Sequence, residues 1–430
     1  MPHEFLDQAL RVITGGRERR ETGAAGSGNS VSQLPRLSRD RDGWKRAGES
    51  MTKGILASAT PHRDDRLFPG DIEQFVSGGL SIACGAAGVL YALSVTGAGR
   101  YPEHEEWLVR RAARLDQKTR LGFYYGLHGV AYVLAHLGYQ GEALRVIDVC
   151  MDQPWERLGL DLFEGLAGIG LNLAHFAVAT GDTSLRDAAL RAADMVAGRL
   201  GDEDSVPTVS GGDHPHAGLM RGSSGPALMF IRVYELTGDG SFLDLAATAL
   251  RQDLRRCTTR DDGSMQVTEG WRTLPYLDSG SVGIGCLVED YLAHRHDERL
   301  MDASAALRGA AEGEFFIQPG LFNGRAGIIL YLSRSHGVGA AAKDPLVAAQ
   351  VRRLAWHALA YQNHLAFPGD QLLRLSMDLA TGTAGVLLAL GAALHDEPVG
   401  LPFLSPRPLT GLLHGRDFST ISRRSTQERR

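Results

Sequence analysis

Seven apolar runs recur along the chain, and each begins with the pattern Gly-x-x-Gly. The residue after the second glycine and the residue four positions later are apolar in every run, which places both on one helix face. The runs are apolar nearly all round, as is typical of inner helices of a large fold. The seven motifs start at Gly85, Gly126, Gly165, Gly222, Gly280, Gly324 and Gly382.

Amphipathic segments between these runs predict a second set of helices that lie on the outside. The clearest span residues 105–115, 185–200, 242–254 and 346–360. Successive motifs are 39 to 58 residues apart, which leaves room for two helices and two loops in each unit. The sequence therefore predicts an all-α fold of seven helical hairpins, each with one inner and one outer helix, and few strands.

Both ends of the chain lack this pattern. Residues 15–50 are rich in Arg, Gly and Ser with almost no apolar periodicity, which is typical of a flexible segment. The stretch from Leu401 opens with three prolines and ends in a polar, arginine-rich tail. We therefore divide the chain into a flexible N-terminal segment (1–66), the repeat domain (67–400) and a loose C-terminal tail (401–430).

Composition, cysteine spacing and the lack of long apolar runs argue against several classes of protein. A net charge of −5 and a pI near 6.3 argue against a nucleic-acid partner. The four cysteines have neither disulfide-framework nor zinc-finger spacing, which favours a reducing compartment. Neither a signal peptide nor an apolar run long enough for a membrane span is evident, so we expect a soluble cytoplasmic protein.

The position immediately before each motif carries a polar or reactive side chain. If the inner helices surround one centre, these side chains line its mouth, and convergent polar groups in a concave site indicate an active site. Helix capping is the alternative for the Ser, Asn and Thr members. The seven residues are Cys84, Tyr125, Glu164, Arg221, Ser279, Asn323 and Thr381.

Four further residues near the motifs are chemically notable. Asp161 and Asp378 each lie four residues before a motif glycine. Asp161 stands between apolar residues, where a carboxylate acts either as a cap or as an acid/base group. His214 and His216 form a His-x-His pair of the kind that binds metals, without an evident third ligand. His216 lies five residues from Arg221 and can still reach a central site.

Taken together, the motifs resemble the LanC-like family over roughly residues 68–400, and most of all the C-terminal cyclase domain of class III lanthionine synthetases. Three stretches carry the closer resemblance: ATPHRDDRLFPGDI (59–72), PHAGLMRGSSGPAL (215–228) and PGDQLLRLSMDLATGTAGVL (368–387). The resemblance implies a closed α/α toroid of seven inner and seven outer helices, although the repeat count alone also allows an open solenoid. It implies an enzyme that adds cysteine thiols of a peptide to dehydroalanine or dehydrobutyrine, which forms thioether rings.

The resemblance also assigns site residues. The positions that match the family's zinc ligands hold Asp278, Phe322 and Asn323, so we expect no zinc and no other cofactor. Asp161 matches a family aspartate, whereas Arg221 replaces a family histidine. We expect catalytic roles for Asp161, Arg221 and His216. The expected substrate-binding residues at the mouth are Tyr125, Glu164, Asp278, Ser279, Asn323 and Asp378.

The expected substrate is a dehydrated precursor peptide with its leader. Kinase signature motifs are absent from the sequence, so kinase and lyase activities would be supplied separately, although residues 42–61 resemble the end of a kinase domain. Two other function classes stay open. One is a non-catalytic toroid that binds the peptide or assists a kinase and lyase. The other is a toroidal glycoside hydrolase, which needs paired carboxylates, but few aromatic residues are available to stack on sugars.

Overall fold

The computed structural model describes residues 34, 35, 37, 41–114, 120–205, 216–336, 340–394 and 399–404. Seven inner helices lie in these ranges, and each begins one or two residues after the first glycine of a motif. In five of them a glycine occupies the N-cap, so no side chain caps the helix there. The inner helices are α2 (Ala86–Val95), α4 (Leu127–His136), α6 (Leu166–Thr180), α8 (Ser224–Thr237), α10 (Ser281–Leu292), α12 (Arg325–Arg334) and α14 (Thr383–Leu394).

Seven outer helices complete the hairpins. Six of them pack against the inner helix that precedes them in sequence, whereas α1 packs against α14, the last inner helix. The outer helices are α1 (Arg41–Ala57), α3 (Pro102–Ala112), α5 (Gln140–Met151), α7 (Thr183–Leu200), α9 (Ser241–Leu254), α11 (Glu298–Gly309) and α13 (Pro345–Arg353). The described residues therefore form an α/α toroid of seven hairpins, as the sequence predicts.

A circle of backbone hydrogen bonds closes the toroid. In each repeat, the residue two positions before the first glycine donates its N–H to the carbonyl of the equivalent residue in the next repeat, at 2.8 to 3.1 Å. The seventh member, Ala380, donates to the first, Ala83, so the circle has no free end. This result excludes the open solenoid. The members are Ala83, Tyr124, Phe163, Met220, Asp278, Phe322 and Ala380.

The second glycine of each motif allows neighbouring repeats to pack this closely. A Cβ on Gly88 would lie 1.8 Å from the carbonyl oxygen of Ile82 and 2.8 Å from Cβ of Leu379 in the adjacent seventh repeat. Ile82 and Leu379 stand three residues before their motifs, and all seven residues at that position are fully buried. These glycines therefore serve packing, because only a residue without Cβ fits between two loops.

Two small antiparallel sheets account for the extra length of two of the longer repeats. The first contains β1 (Cys257–Thr259), β2 (Met265–Glu269) and β3 (Arg272–Leu274), in that order. The second contains β4 (Leu359–Tyr361), β5 (His364–Pro368) and β6 (Leu375–Ser376). The outer helix predicted over 346–360 ends earlier, at Arg353. Residues 362 and 363 both adopt positive φ angles, which suits a two-residue hairpin turn between β4 and β5.

The packed fold extends beyond the predicted repeat domain (67–400) at both ends. Within the segment predicted to be flexible (1–66), α1 buries Trp44, Met51 and Ile55 against the toroid. Within the predicted loose tail (401–430), Phe403 is buried, and its ring centroid lies 4.9 Å from that of Phe123. Residues 1–33 and 405–430 lie outside the described residues. No helix in the described ranges is long and apolar enough to cross a membrane.

Candidate functional site

The seven residues immediately before the motifs each follow a member of the backbone circle, so they lie at one end of the toroid axis. We call this set the mouth. Three successive repeats meet there at Asp278, which is nearly fully buried. Its Oδ2 accepts a hydrogen bond from Nδ2 of Asn323 at 3.2 Å and lies 3.9 Å from Nε of Arg221, and its Oδ1 accepts from Oγ of Ser279 at 3.2 Å. The expected binding residues of these repeats therefore form one polar cluster.

Arg221 is held by an aromatic platform as well as by Asp278. Its guanidinium carbon lies 4.0 Å from the centroid of the Phe163 ring, within the range of a cation–π interaction. Phe163 stacks on Tyr125 at 5.5 Å and meets the edge of Phe322 at 6.3 Å. The side chain of Arg221 stays 32% exposed. The mouth thus presents a positioned cation that a ligand can reach.

Asp161 makes a structural hydrogen bond and also has a raised pKa. Its Oδ1 accepts a hydrogen bond from the backbone N–H of Glu164 at 2.7 Å, which fixes the turn before α6. Burial raises the pKa of Asp161 to about 6, because the loss of hydration outweighs the opposing effects of that N–H group and of Arg221. A carboxyl group that titrates near neutrality is suited to move a proton in either direction.

Asp378, an expected binding residue, instead holds the loops of the mouth together. Its Oδ1 accepts from the backbone N–H groups of Thr381 and Gly382 at 2.7 and 3.2 Å. Its Oδ2 accepts from the backbone N–H of Asp71 at 2.7 Å and from Oγ of Ser376 at 2.8 Å. Both oxygens of this buried carboxylate therefore serve the protein's own donors rather than a ligand.

His216, an expected catalytic residue, lies beside the first sheet. Its Nδ1 is 3.4 Å from Oε1 of Glu269 on β2, and Glu269 also binds Arg272. Among the described residues, His216 therefore pairs with the hairpin rather than with Asp161 or Arg221. His214 lies outside the described residues.

Two side chains at the mouth, those of Tyr125 and Glu164, bind partners that the sequence pattern did not indicate. The hydroxyl of Tyr125 donates to Glu73, with Oε2 at 2.5 Å and the carbonyl oxygen at 2.8 Å. Oε2 of Glu164 accepts from Nη1 of Arg120 at 2.6 Å, and the Arg120 guanidinium lies 5.2 Å from the Tyr125 ring. Glu73 and Arg120 stand outside the motif positions, so no repeat pattern indicates them.

The zinc-ligand positions implied by the family do not suit zinc here. The amide of Asn323 donates to Asp278, and the ring of Phe322, which offers no ligand atom, packs edge-on against Tyr124 at 5.6 Å. No group of three or more His, Cys, Asp or Glu side chains suited to a metal occurs in the part of the chain that the structure describes. The donor set of Asp278 and Asn323 alone does not fit a zinc site.

Cys84 is the mouth residue of the first repeat, and its environment keeps it protonated. Burial raises the pKa of its thiol well above the usual value, and the carboxylates of Asp378, Asp71 and Glu73 raise it further. Because the thiolate is the reactive form of cysteine, Cys84 is not suited to act as a nucleophile.

Comparison with known proteins finds a relative in sequence and a likeness in fold. No family model matches the chain. Over 372 residues, 86% of this chain, it is 49% identical to the probable SapB synthase of Streptomyces coelicolor, and it spans 40% of the length of that relative. The fold is similar to that of nisin cyclase, with a TM-score of 0.56 at 14% identity, covering 81% of this chain and 93% of that one. An unsaturated glucuronyl hydrolase from Bacillus sp. GL1 aligns with a TM-score of only 0.40 at 16% identity, covering 63% and 84%, which is too low to support an argument.

The chain is thus similar over most of its length to a part of the SapB synthase, and it shares the toroid fold of nisin cyclase, as the resemblance of its motifs to the LanC-like family implies.

Proposed function

We propose that the mouth catalyses the addition of a cysteine thiol of a precursor peptide to a dehydroalanine or dehydrobutyrine, without a bound zinc ion. The observation that carries this proposal is that Asp161, whose pKa is raised by burial, lies where the charge of Arg221 acts on it. A buried carboxyl group with a pKa of about 6 lies within the electrostatic reach of a guanidinium that is fixed over Phe163. The resemblance of the motifs to the LanC-like family and the name of the SapB synthase relative support the same reaction class.

In the proposed reaction, the ionised Asp161 carboxylate takes the proton of the substrate thiol. Sulfur then bonds to the β-carbon of the dehydro residue, the carbon–carbon π bond breaks, and negative charge develops on the adjacent carbonyl oxygen. Arg221 donates hydrogen bonds to this enolate. Asp161 returns the proton to the α-carbon, so the peptide gains one carbon–sulfur bond and loses no atoms.

The carboxylates around the mouth explain why this reaction needs a base. Those of Asp378, Asp71 and Glu73 raise the pKa of the Cys84 thiol, and they would act in the same direction on a substrate thiol beside it. A thiolate would therefore not accumulate there, and deprotonation by Asp161 has to accompany the attack. Arg221 supplies the compensating positive charge.

The proposed substrate is a leader-bearing precursor whose serine or threonine residues have already been dehydrated by a kinase and a lyase supplied separately. We place the reaction in the cytoplasm, where substrate thiols stay reduced. The chain's own cysteines Cys84, Cys150, Cys257 and Cys286 are likewise free thiols.

The test is the rate at which free thiols disappear from a dehydrated precursor incubated with the purified protein. We expect the wild-type chain to exceed the buffer rate, and Asp161→Asn and Arg221→Ala to lose most of that excess. Asp302→Asn and Arg145→Ala change the same residue types on outer helices and should keep the wild-type rate. If Asp161→Asn and Arg221→Ala both cyclise the precursor at the wild-type rate, the assignment of these residues is wrong.

A second candidate is a non-catalytic toroid that binds the precursor while its rings close unaided. The occupation of the zinc-ligand positions by Asp278, Phe322 and Asn323 favours this candidate. It predicts that the protein binds the dehydrated peptide but leaves the rate of thiol loss at the buffer value.

A further inference from the structure

Residues 69–76, which we call the strap, run along the mouth from the seventh repeat, past the first, to the second. The backbone N–H of Met377 donates to the carbonyl of Pro69 at 2.7 Å, and that of Asp71 donates to Oδ2 of Asp378 at 2.7 Å. At the other end, the hydroxyl of Tyr125 donates to Glu73. The strap is thus tied to side chains of the mouth on both sides of the first repeat.

The strap lies directly on the backbone of the mouth. A Cβ on Gly70 would meet the carbonyl oxygen of Cys84 at 2.9 Å and Oδ2 of Asp378 at 3.0 Å, so glycine is needed for this close approach. Gly70 belongs to the stretch ATPHRDDRLFPGDI, which the proposed reaction leaves without a role.

The rest of that stretch fixes the strap to the toroid. The N–H of Thr60 donates to the carbonyl of Leu67 at 2.7 Å, which closes a compact loop. Nε1 of Trp107 on α3 donates to the carbonyl of Arg63 at 2.8 Å, and Leu67 and Phe68 are buried. The strap therefore extends from a well-packed base.

Despite this fixation, the strap exposes three large apolar side chains within five residues. Ile72 is 58% exposed, Phe75 47% and Val76 55%. Ile72 stands between the two tethered residues, Asp71 and Glu73, and is therefore at the mouth itself. A fixed apolar surface that adjoins a polar site is typical of a surface that binds a partner.

Charge at the mouth limits the chemistry of that partner. Among the contacts described above, five carboxylates and two guanidinium groups lie at the mouth. The carboxylates are those of Asp71, Glu73, Asp161, Glu164 and Asp278, and the guanidinium groups are those of Arg120 and Arg221. An acidic side chain brought next to the strap would meet like charges, whereas an apolar side chain would be buried on Ile72 and Phe75.

We propose that the strap selects the substrate, by binding apolar side chains that flank the reacting cysteine and by disfavouring acidic ones. This inference rests on the proposed cyclase function, which it deepens by naming the peptide class. Ile72 and Phe75 are specificity-determining residues in this account, and they take no part in proton transfer.

The experiment uses two dehydrated peptides that differ only in the residues on either side of the reacting cysteine, leucine in one and glutamate in the other. Two readouts are taken: kcat/KM from thiol loss, and Kd from the fluorescence anisotropy of labelled peptides in which serine replaces that cysteine. We expect the wild-type protein to favour the leucine peptide by at least about tenfold in both readouts. Ile72→Ser and Phe75→Ser should each reduce that ratio severalfold.

The controls are Val149→Ser and Met301→Ser, which replace exposed apolar residues on outer helices and should keep the wild-type ratio. A wild-type protein that cyclises both peptides equally well overturns the inference and leaves the proposed function standing. A protein that never accelerates thiol loss, yet binds the leucine peptide in a strap-dependent way, overturns the proposed function only. Equal Kd values for the two peptides, unchanged in Ile72→Ser and Phe75→Ser, overturn the inference whatever the rate.

Discussion

The backbone N–H of Ala380 donates a hydrogen bond of 2.9 Å to the carbonyl of Ala83, which joins the seventh repeat to the first. An open repeat array unfolds from its ends, because its terminal repeats have one neighbour each. In this toroid every inner helix has two neighbours, since α14 packs against both α12 and α2. Disturbing one junction between repeats should therefore weaken the whole ring.

Gly129→Ala tests the close packing between repeats. A Cβ at this position would lie 1.9 Å from the carbonyl oxygen of Phe123 and 2.8 Å from Cδ1 of Ile82, so the backbone has to move. We expect a loss of about 3 kcal/mol in the free energy of unfolding. Gly198→Ala on α7 is the matched control: outside the local helix backbone no atom lies within 4 Å of the added Cβ, and the free energy of unfolding should rise by about 0.5–1 kcal/mol. Urea unfolding that gave both variants the same midpoint would contradict this account.

Asp161→Asn should raise stability while it lowers activity. The pKa of Asp161 is about 6 in the folded protein against a usual 3.8, so the unfolded chain loses its proton first as pH rises. The stability of the wild-type protein therefore falls between pH 4 and 6, by about 3 kcal/mol from this group, and stays lower above pH 6. Asparagine carries no charge at either pH, so its burial does not reduce stability as pH rises. The variant should therefore be more stable than the wild type at pH 8 and equally stable near pH 4. Thermal unfolding at the two pH values checks the sign.

The raised pKa of Asp161 also predicts how the rate of catalysis depends on pH. Because Asp161 must be ionised to accept the thiol proton, the rate of thiol loss should rise as pH increases through about 6. The rate that remains in Asp161→Asn should lack this step. A wild-type profile without an inflection near pH 6 would remove Asp161 from the role of base.

Arg221 is expected to act mainly on the transition state. Arg221→Ala should lower kcat by about 10²–10³-fold, the usual effect of losing a donor to a developing oxyanion. Arg221→Lys keeps the charge but loses the planar group that stacks on Phe163, so we expect an intermediate rate. A rise in KM with unchanged kcat in both variants would instead indicate a role in peptide binding only.

Trp44 tests whether α1 belongs to the toroid. Trp44→Ala should cost about 3–5 kcal/mol in the free energy of unfolding, because its fully buried side chain lies in the core. Trp271, at the turn between β2 and β3, is 92% exposed, so Trp271→Ala should change stability by less than about 0.5 kcal/mol. Similar effects of the two substitutions would contradict the packing of α1.

The inner helices were predictable because each has its own motif and is apolar on nearly all faces. The outer helix α1 was missed because its buried residues, such as Trp44 and Met51, are separated by arginines, lysines and glycines that suggest a flexible segment. The buried position of Phe403 was missed for a similar reason, since three prolines lie within five residues of it and a polar, arginine-rich tail follows. These segments are ordered by contacts with the closed ring, which no local pattern encodes.

The site was partly predictable. The pattern of polar residues before the motifs indicated Arg221, and the family resemblance indicated Asp278. The structure brings these two side chains within 3.9 Å. It did not indicate Glu73, whose partner Tyr125 lies in another repeat. Sequence proximity was misleading for His216, because a loop residue can face the adjacent hairpin as easily as the mouth.

The most direct test of the account is the initial rate of thiol loss from a dehydrated precursor, measured with protein whose metal content has been determined and brought below one tenth of an equivalent by chelation. We expect this protein to form thioether rings well above the buffer rate and to gain nothing when zinc is added back. A rate equal to that of buffer, or one that returns only with zinc, would contradict the account.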